Sequence, residues 1–387
     1  MSKVLIRGPL LTNSGYGIHS RQVFRWLLNQ TNIDIKCEVL PWGITPWIIN
    51  DKAENGLIAE IMGRTNLEQN EQFDVSFQIQ LPNEWETNRA RKNVGISALI
   101  ETDMANPDWV NFCNRMDHIV APSQHSLNSI LNHSEINTKY SVIPESYPDC
   151  MYEGTKTPLN IEIKDRFNFL IFGQITGHNP ENDRKNLFYS IKWFCEEFAN
   201  DENVGLIVKT NAGRNSHMDR QHTLNILSKL IREIRPGAFP KIQLLHGNLT
   251  SEEINFLYSH KNVNALLALT RGEGFGLTLL EAATAGLPIV ATGWSSYTEF
   301  LDRDLVTYVD YNLAPVHQTR VDNSIFVEGT KWAQPVEEDA KRKMRLIYEN
   351  NKKQKANAKK LAKILRESHS FASIERHYDM ELGYLLK

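Results

Sequence analysis

The chain has 387 residues, a length that suits two domains better than one core. Its hydrophobic content of 41%, charged content of 23% and net charge of −3 describe a folded globular protein and exclude a disordered one. The sequence shows neither a secretory leader nor an apolar run of about 18 residues, so we expect a cytoplasmic protein without a membrane span. Its four cysteines lie far apart, which argues against a zinc site or a disulfide framework.

Strand patterns alternate with helix patterns along the chain. A segment without periodicity, residues 145–165, separates two such series. The alternation predicts an α/β protein with two Rossmann-like, doubly wound domains, residues 1–155 and 156–360, that face a central cleft. The predicted strands cover residues 3–7, 34–40, 74–81, 93–100, 118–122 and 140–144, then 167–174, 203–210, 241–247, 264–270 and 289–292.

Two glutamates, Glu273 and Glu281, stand eight positions apart in the stretch RGEGFGLTLLEAATAGLPIV, residues 271–290, which follows a predicted strand. Its glycines let the backbone approach a ligand. The helix that begins near Gly276 or Leu277 presents free N–H groups and the positive end of its dipole. Taken alone, the two glutamates fit helix caps, an acid/base pair or a site that binds ligand hydroxyls.

Positive charge is concentrated near the end of the chain. Between Lys341 and Arg366, eleven Lys and Arg residues stand against one acid, Glu349, so this segment carries about +10 and the remainder about −13. Such a run fits a solvated helix face, and it also fits a docking surface for a polyanion or an anionic membrane.

Residues 270–301, TRGEGFGLTLLEAATAGLPIVATGWSSYTEFL, resemble the donor-site signature of retaining glycosyltransferases with the GT-B fold, a family that includes bacterial mannosyltransferases and sucrose synthases. The resemblance implies that Glu273 holds hydroxyls of the donor sugar and that Glu281 binds the nucleotide ribose. The family's paired glycines before Glu299 are here Ser295 and Ser296. The resemblance further implies that the backbone around the glycines meets sugar or phosphate at Gly274, Phe275, Gly276 and Leu277.

Further segments extend the resemblance to the diphosphate. The stretch SGYGIHSR resembles the family's glycine loop, which implies a donor-binding role for Gly15, Tyr16 and Gly17. In the stretch FGQITGHNPENDRKNLF, Lys185 matches the lysine that contacts the donor diphosphate.

An arginine and a histidine that many family members carry are absent here. Gln174 stands at the position of the arginine, and we expect Arg184 or Lys209 to supply the missing cation. Glu101 follows the fourth predicted strand, where many members carry the histidine, and it is our candidate for orienting the acceptor or the donor sugar. A helix cap formed with Thr102 and Asp103 is the alternative for this carboxylate.

The expected activity is transfer of a hexosyl or pentosyl group, with retention, from a nucleotide-diphosphate sugar to an acceptor hydroxyl. Glu273, Lys185 and Glu101 are the catalytic candidates. No cofactor is expected besides the donor substrate. Asp302-Arg303-Asp304 matches the D-x-D pattern that binds Mn²⁺ or Mg²⁺ in glycosyltransferases of another fold, but it does not end a strand of the first domain. We therefore interpret it as a polar turn and expect no metal.

The resemblance assigns the acceptor to the first domain and implies that residues 361–387 form a helix that crosses back to that domain. The acceptor is a glycan, a lipid or, through the basic segment 341–366, DNA. Two alternatives are a phage-type DNA glycosyltransferase that modifies a hydroxylated base and a non-catalytic protein that binds nucleotide sugars.

Overall fold

The computed structural model describes residues 1–68, 71–133, 135–164, 166–174, 179–213 and 215–387. The chain divides into two compact units: unit 1 consists of Met1–Ser146 with Phe371–Lys387, and unit 2 of Tyr147–Ser370. The boundaries expected from the sequence, 155/156 and 360/361, differ from these. At the first boundary the reason is packing, because Tyr147, Cys150 and Met151 are buried in the apolar core of unit 2.

Unit 1 is built on a six-stranded parallel sheet with the strand order β2-β1-β3-β4-β5-β6. Residues 4–8 of the first strand are all buried, as expected for a parallel strand in the middle of a sheet. The elements are β1 Ser2–Gly8, α1 Gly15–Leu28, β2 Ile33–Val39, α2 Leu57–Met62, β3 Phe73–Ile79, β4 Ala90–Ile96, α3 Trp109–Cys113, β5 His118–Ala121, α4 Gln124–Leu131 and β6 Lys139–Val142.

Unit 2 contains a second six-stranded parallel sheet, of order β12-β11-β10-β7-β8-β9, and a separate antiparallel hairpin. Its elements are α5 Asp149–Glu153, β7 Phe167–Phe172, α6 Leu187–Glu197, β8 Val204–Thr210, α7 His217–Ile234, β9 Lys241–His246, α8 Ser251–Tyr258, β10 Val263–Ala268, α9 Leu277–Thr284, β11 Ile289–Thr292, β12 Thr307–Val309, the hairpin strands β13 Tyr311–Pro315 and β14 Lys331–Pro335, α10 Glu337–Glu349 and α11 Asn351–Ser368.

The last helix, α12, spans Phe371–Leu382 and belongs to unit 1. It buries Phe371, Ile374, Tyr378 and Leu382 in the core of that unit. Their spacing of three, four and four residues makes one apolar stripe along the helix. The Tyr378 ring stacks on Trp26 of α1 with a centroid distance of 5.1 Å. This stripe explains why the end of the chain packs with its beginning.

The order of the second sheet reverses direction between β7 and β10, which lie side by side although five elements, α6 to α8, separate them in the chain. Loops that leave the carboxyl ends of two such strands diverge to opposite sides of the sheet, and ligands bind in the crevice between them. The segments after β7 and after β10 therefore border one crevice at the carboxyl edge of the unit 2 sheet.

The expected α/β class and the two doubly wound parallel sheets are confirmed. The hairpin of β13 and β14 was not predicted, because a proline stands in each strand and proline is unfavourable inside sheets. All four cysteines are buried free thiols. Among the described helices, none is long and apolar enough to cross a membrane.

Candidate functional site

The carboxylate of Glu273 lies between two cations just beyond the end of β10. Lys185 Nζ is 2.6 Å from Glu273 Oε1, and Arg184 Nη1 is 3.0 Å from Glu273 Oε2. The Glu273 side chain is 9% exposed, whereas those of Arg184 and Lys185 are 25% and 27% exposed. Burial alone would raise the Glu273 pKa, but the two cations outweigh burial and lower that pKa to about 2. The site therefore holds an ionised carboxylate beside two cations that still reach solvent.

Hydrogen bonds to the main chain hold two loops together: the cation loop, residues 179–186, and the glutamate loop, residues 269–276. The Arg271 N–H donates to the Arg184 carbonyl at 2.8 Å, and Arg184 Nη1 donates to the Gly272 carbonyl at 2.6 Å. The Thr270 hydroxyl donates to the same Arg184 carbonyl at 3.2 Å. Because these bonds use backbone atoms on both sides, they fix the register of the two loops.

A buried arginine that the sequence analysis did not single out supports the same loops. Arg271 is fully buried, its Nη2 lies 3.2 Å from Glu181 Oε2, and its guanidinium lies 5.2 Å from the ring centre of Trp332 on the hairpin. In the cation loop, the Asp183 carboxylate accepts a hydrogen bond from the Lys185 N–H at 2.9 Å. The only sequence signal for these residues is that they adjoin the glutamate and lysine motifs.

The hydroxyls of Ser295 and Ser296 form hydrogen bonds with the backbone of Glu273 and Phe275. Ser295 Oγ accepts from the Glu273 N–H at 2.7 Å and lies 2.8 Å from its carbonyl oxygen, and Ser296 Oγ contacts the carbonyls of Glu273 and Phe275. Ser295 has φ 102° and ψ 179°, a conformation that otherwise belongs to glycine. Ser295 thus adopts a glycine-like backbone at one of the two positions where the family carries glycine, and both serines add hydroxyls that bind the loop.

Helix α9 begins where the sequence predicted, with Gly276 as its N-cap at φ 103°. The positive φ favours glycine, and a Cβ there would make a tight contact of 3.1 Å with the Tyr297 Cβ. Gly274 and Phe275 are buried, and the Phe275 ring packs 5.2 Å from the ring of Phe300. Leu277, the first residue of the helix, presents one of the N–H groups that have no partner within the helix.

Glu281 is buried one turn further along α9, and Tyr258 Oη donates to its Oε2 at 3.3 Å. Burial raises the Glu281 pKa to about 7, and the Tyr258 hydrogen bond opposes only part of that shift. The pKa values of the two glutamates are thus shifted in opposite directions. Glu273 is ionised because of its two cations, whereas Glu281 is close to half-protonated at neutral pH.

Lys209 is the penultimate residue of β8, a strand that lies two positions away from β10 in the sheet, a separation of about 10 Å. It is 6% exposed and donates at 2.7 Å to both Asn211 Oδ1 and the Gly247 carbonyl. Burial lowers the Lys209 pKa to about 8. Gln174 is exposed after β7. Arg184 is thus the second cation that contacts Glu273, besides Lys185. Lys209 instead binds Asn211 and Gly247.

The predicted glycine loop of unit 1 opens helix α1, with Gly15 as its first residue and Ser14 as its N-cap. Gly15 is exposed, whereas a Cβ on Gly17 would stand 2.2 Å from the Thr12 carbonyl oxygen, so packing alone requires glycine at 17. The Tyr16 hydroxyl accepts a hydrogen bond from the Ala98 N–H at 3.1 Å. The Tyr16 side chain therefore connects the start of α1 to the segment that follows β4.

Glu101 lies half-buried in the loop after β4, also in unit 1. The alternative that it caps a helix with Thr102 and Asp103 is wrong, because the next helix, α3, begins only at Trp109. The Thr102 hydroxyl instead donates to the Met104 carbonyl at 2.8 Å.

The sheet of unit 1 also borders a cavity of about 340 Å³. This cavity is lined by Arg7, Pro9, Leu40, Pro41, Trp42, Gln80 and Glu84.

Asp302 and Asp304 lie in an exposed turn, where Asp302 Oδ1 accepts from the Asp304 N–H at 2.8 Å. Across the described ranges, no group of three or more His, Cys, Asp or Glu side chains is arranged to hold a metal ion.

Residues 240–376 match the model of a family described as Family 4 Glycosyltransferase in conflict systems. This stretch contains Glu273 and Glu281 but not Lys185. No curated protein matches the sequence.

Solved structures resemble the chain in fold at low sequence identity. Sucrose-phosphate synthase from Thermosynechococcus elongatus has a TM-score of 0.63 and 11% identity over 100% of this chain and 99% of its own. A TarM variant from S. aureus, solved with fondaparinux, alpha-GlcNAc-glycerol and UDP, has a TM-score of 0.54 and 11% identity over 81% of this chain. Pneumococcal O-GlcNAc transferase GtfA, solved with UDP and GlcNAc, has a TM-score of 0.52 and 14% identity over 90%.

The chain spans 55% of the TarM chain and 64% of the GtfA chain. Together with the two parallel six-stranded sheets, these likenesses show that the fold is GT-B and confirm the fold class expected from the sequence.

The raised pKa of Glu281 predicts a pH-dependent stability. Between pH 4.5, the usual pKa of the group, and about 7, the unfolded chain ionises Glu281 while the folded chain keeps it protonated, so stability falls as pH rises. Glu281→Gln removes the cost of burying an ionisable carboxyl. The difference in free energy of unfolding between this variant and wild type should therefore grow by roughly 3 kcal/mol, in favour of the variant, as pH rises from 4.5 to about 7. Urea unfolding measures this difference.

Glu338→Gln, which removes an exposed carboxylate from the same unit, is the matched control for this comparison. A difference between Glu281→Gln and wild type that stays constant from pH 4.5 to pH 8 would contradict the assigned environment of Glu281.

The backbone of Ser295 predicts an unusual order of two substitutions. Ser295→Ala and Ser295→Gly lose the same hydroxyl, but only Ala keeps a Cβ at φ 102°. We expect Ser295→Gly to have the larger free energy of unfolding, by about 1–2 kcal/mol in urea denaturation. Equal stability, or a more stable Ser295→Ala, would show that the backbone at 295 is not held in this conformation.

Proposed function

We propose that this protein is a retaining GT-B glycosyltransferase that moves a hexosyl or pentosyl group from a nucleotide-diphosphate sugar to an acceptor hydroxyl without a metal ion. The observation that carries the proposal is the cluster of Glu273, Arg184 and Lys185 beside the N-terminus of α9. The family match over residues 240–376 and the likeness to structures that hold UDP support it.

The cluster suits the two parts of such a donor. Lys185 and Arg184 are partly exposed cations, and the α9 N-terminus adds N–H groups that favour an anion. A diphosphate fits these donors. Glu273 remains ionised at all physiological pH values and so accepts hydrogen bonds from sugar hydroxyls. In the proposed complex the two partly exposed cations contact the diphosphate while they remain beside Glu273, and the Glu273 carboxylate holds the sugar.

The proposed reaction breaks the bond between the anomeric carbon and the diphosphate oxygen. The acceptor oxygen forms its bond to the same face of that carbon, and its proton passes to the departing phosphate. Negative charge grows on the diphosphate in the transition state, where Lys185 and the α9 N–H groups stabilise it. A fixed donor of this kind contributes about 3 kcal/mol. No protein base is required on this path.

Glu281 is proposed to bind the ribose of the nucleotide, since it follows the donor motif on α9. Its carboxylate accepts two hydroxyl hydrogen bonds only when ionised, and each such bond favours ionisation. Ribose binding therefore lowers the Glu281 pKa from its value of about 7.

The acceptor is assigned to unit 1, which contains the cavity beside Trp42 as well as Glu101 and the loop of Gly15, Tyr16 and Gly17. The Trp42 ring stacks on Tyr16 with a centroid distance of 4.0 Å, so this indole is held in place. A fixed aromatic face next to polar groups suits a sugar-like or planar acceptor ring. Glu101 is proposed to orient the reacting hydroxyl or the donor sugar.

Replacing Lys185 by Met should lower kcat by about 10²- to 10³-fold, because one donor to the leaving diphosphate is lost. Glu273 keeps Arg184 as a partner in this variant, so the fold is retained. Hydrolysis of UDP, GDP, ADP and TDP sugars in the presence of EDTA measures the effect on the donor that the wild type prefers.

Lys192→Met is the matched control, because Lys192 is similarly exposed and also pairs with a carboxylate, that of Glu196 on the same helix. An equal loss in both variants would contradict the role of Lys185, and EDTA sensitivity would contradict the metal-independent reaction. Binding of a donor with no turnover in the wild type would favour the non-catalytic alternative.

A further inference from the structure

The basic segment 341–366 lies on two helices whose charges have different surroundings. On α10, three of the four cations form ion pairs within unit 2, so their field is largely cancelled at short range. These pairs are Lys341 with Glu196 and Glu337, Arg342 with Asp339, and Arg345 with Glu197.

Helix α11 carries the uncompensated charge. Five of its lysines are exposed, and within the described part of the chain none of them forms an ion pair; this α11 lysine face consists of Lys352, Lys353, Lys359, Lys360 and Lys363. The pKa of the neighbouring Lys355 is lowered, first by burial and then by the charge of Lys359. The positive charge of Lys359 thus repels that of Lys355, and no carboxylate is among the causes of the Lys355 pKa shift.

The five lysines share one side of the helix. At 100° per residue they fall within an arc of about 120°, and from Lys352 to Lys363 they extend about 16 Å along the axis. Ala356 is the small residue between them. The opposite side of α11 buries Ala358, Leu361, Ala362 and Leu365, of which both leucines belong to the same apolar core as helix α9.

Two acidic residues lie at the margins of this face. Glu367 is exposed in the last turn of α11. Asp304 is near the first half of the helix, because its carbonyl accepts a hydrogen bond from Asn357 Nδ2 at 3.4 Å. The central stretch from Lys359 to Lys363 has no acidic residue of its own.

We propose that the α11 lysine face binds the phosphate backbone of duplex DNA. Lysine side chains are flexible point charges that suit phosphates and carry no information on base sequence. The face is longer than the major groove of B-form DNA is wide, about 12 Å, so its two ends reach phosphates on both strands that border the groove. This binding does not require sugar transfer.

Two other polyanions fit this face less well. Single strands are held by aromatic side chains that stack on bases, and the described exposed residues of α11 include no aromatic ring. An anionic membrane is bound by basic helices that also insert apolar side chains, but the leucines of α11 are buried and only Ile364 is half-exposed.

The test is fluorescence anisotropy with the full chain and two labelled duplexes of unrelated sequence, over a series of salt concentrations. We expect equal affinity for both duplexes and a slope of log affinity against log salt of about −4.5, from five lysines at about 0.9 each. The variant Lys353→Gln/Lys359→Gln/Lys360→Gln should flatten that slope by about three.

The matched control is Lys229→Gln/Arg232→Gln/Lys261→Gln, which removes the same charge from exposed positions elsewhere in unit 2. It should leave the slope unchanged, and thermal unfolding checks that both variants are folded. Absence of duplex binding at low salt, an equal loss in the control, stronger binding to single strands, or binding to anionic vesicles instead of duplex would each overturn the proposal.

Discussion

The site depends on one electrostatic constraint, a buried carboxylate that stays ionised only because two cations lie against it. Glu273 is nearly inaccessible to solvent, and burial by itself would favour its neutral form. Arg184 and Lys185 reverse that preference. The same pairing keeps the two cations close together at the edge of the sheet, where they would otherwise repel each other.

The fold meets this constraint with backbone geometry. The reversal of strand order between β7 and β10 brings the cation loop and the glutamate loop to one edge of unit 2. The main-chain hydrogen bond from Arg271 to Arg184 then fixes their register. Ser295, which has a strained backbone conformation, binds the glutamate loop from the other side. Strain of this kind persists only where the surroundings fix the backbone. The charged side chains are therefore held in position before a ligand arrives.

Much of this arrangement was predictable from the sequence, because strand periodicity and glycine spacing are local signals. The parallel strands and the start of α9 at Gly276 follow from such patterns. Only the family resemblance linked Lys185 and Glu273, which lie 88 residues apart, to one donor. Pairings over long sequence distances were not predictable, such as Arg271 with the hairpin residue Trp332, since nothing local marks them. Net charge per segment also concealed that three of the four α10 cations are in ion pairs, whereas the five exposed lysines of α11 have no ion pair among the described residues.

Calorimetric titration of the full chain with UDP, GDP, ADP and TDP, each compared with its nucleoside, tests most directly whether the cluster at Glu273 is a diphosphate site. Charge-assisted hydrogen bonds contribute about 1.5–3 kcal/mol each. One diphosphate should therefore bind about ten- to hundredfold more tightly than its nucleoside. A nucleoside that binds as tightly as its diphosphate, or no binding of any of the four diphosphates, would contradict the central claim.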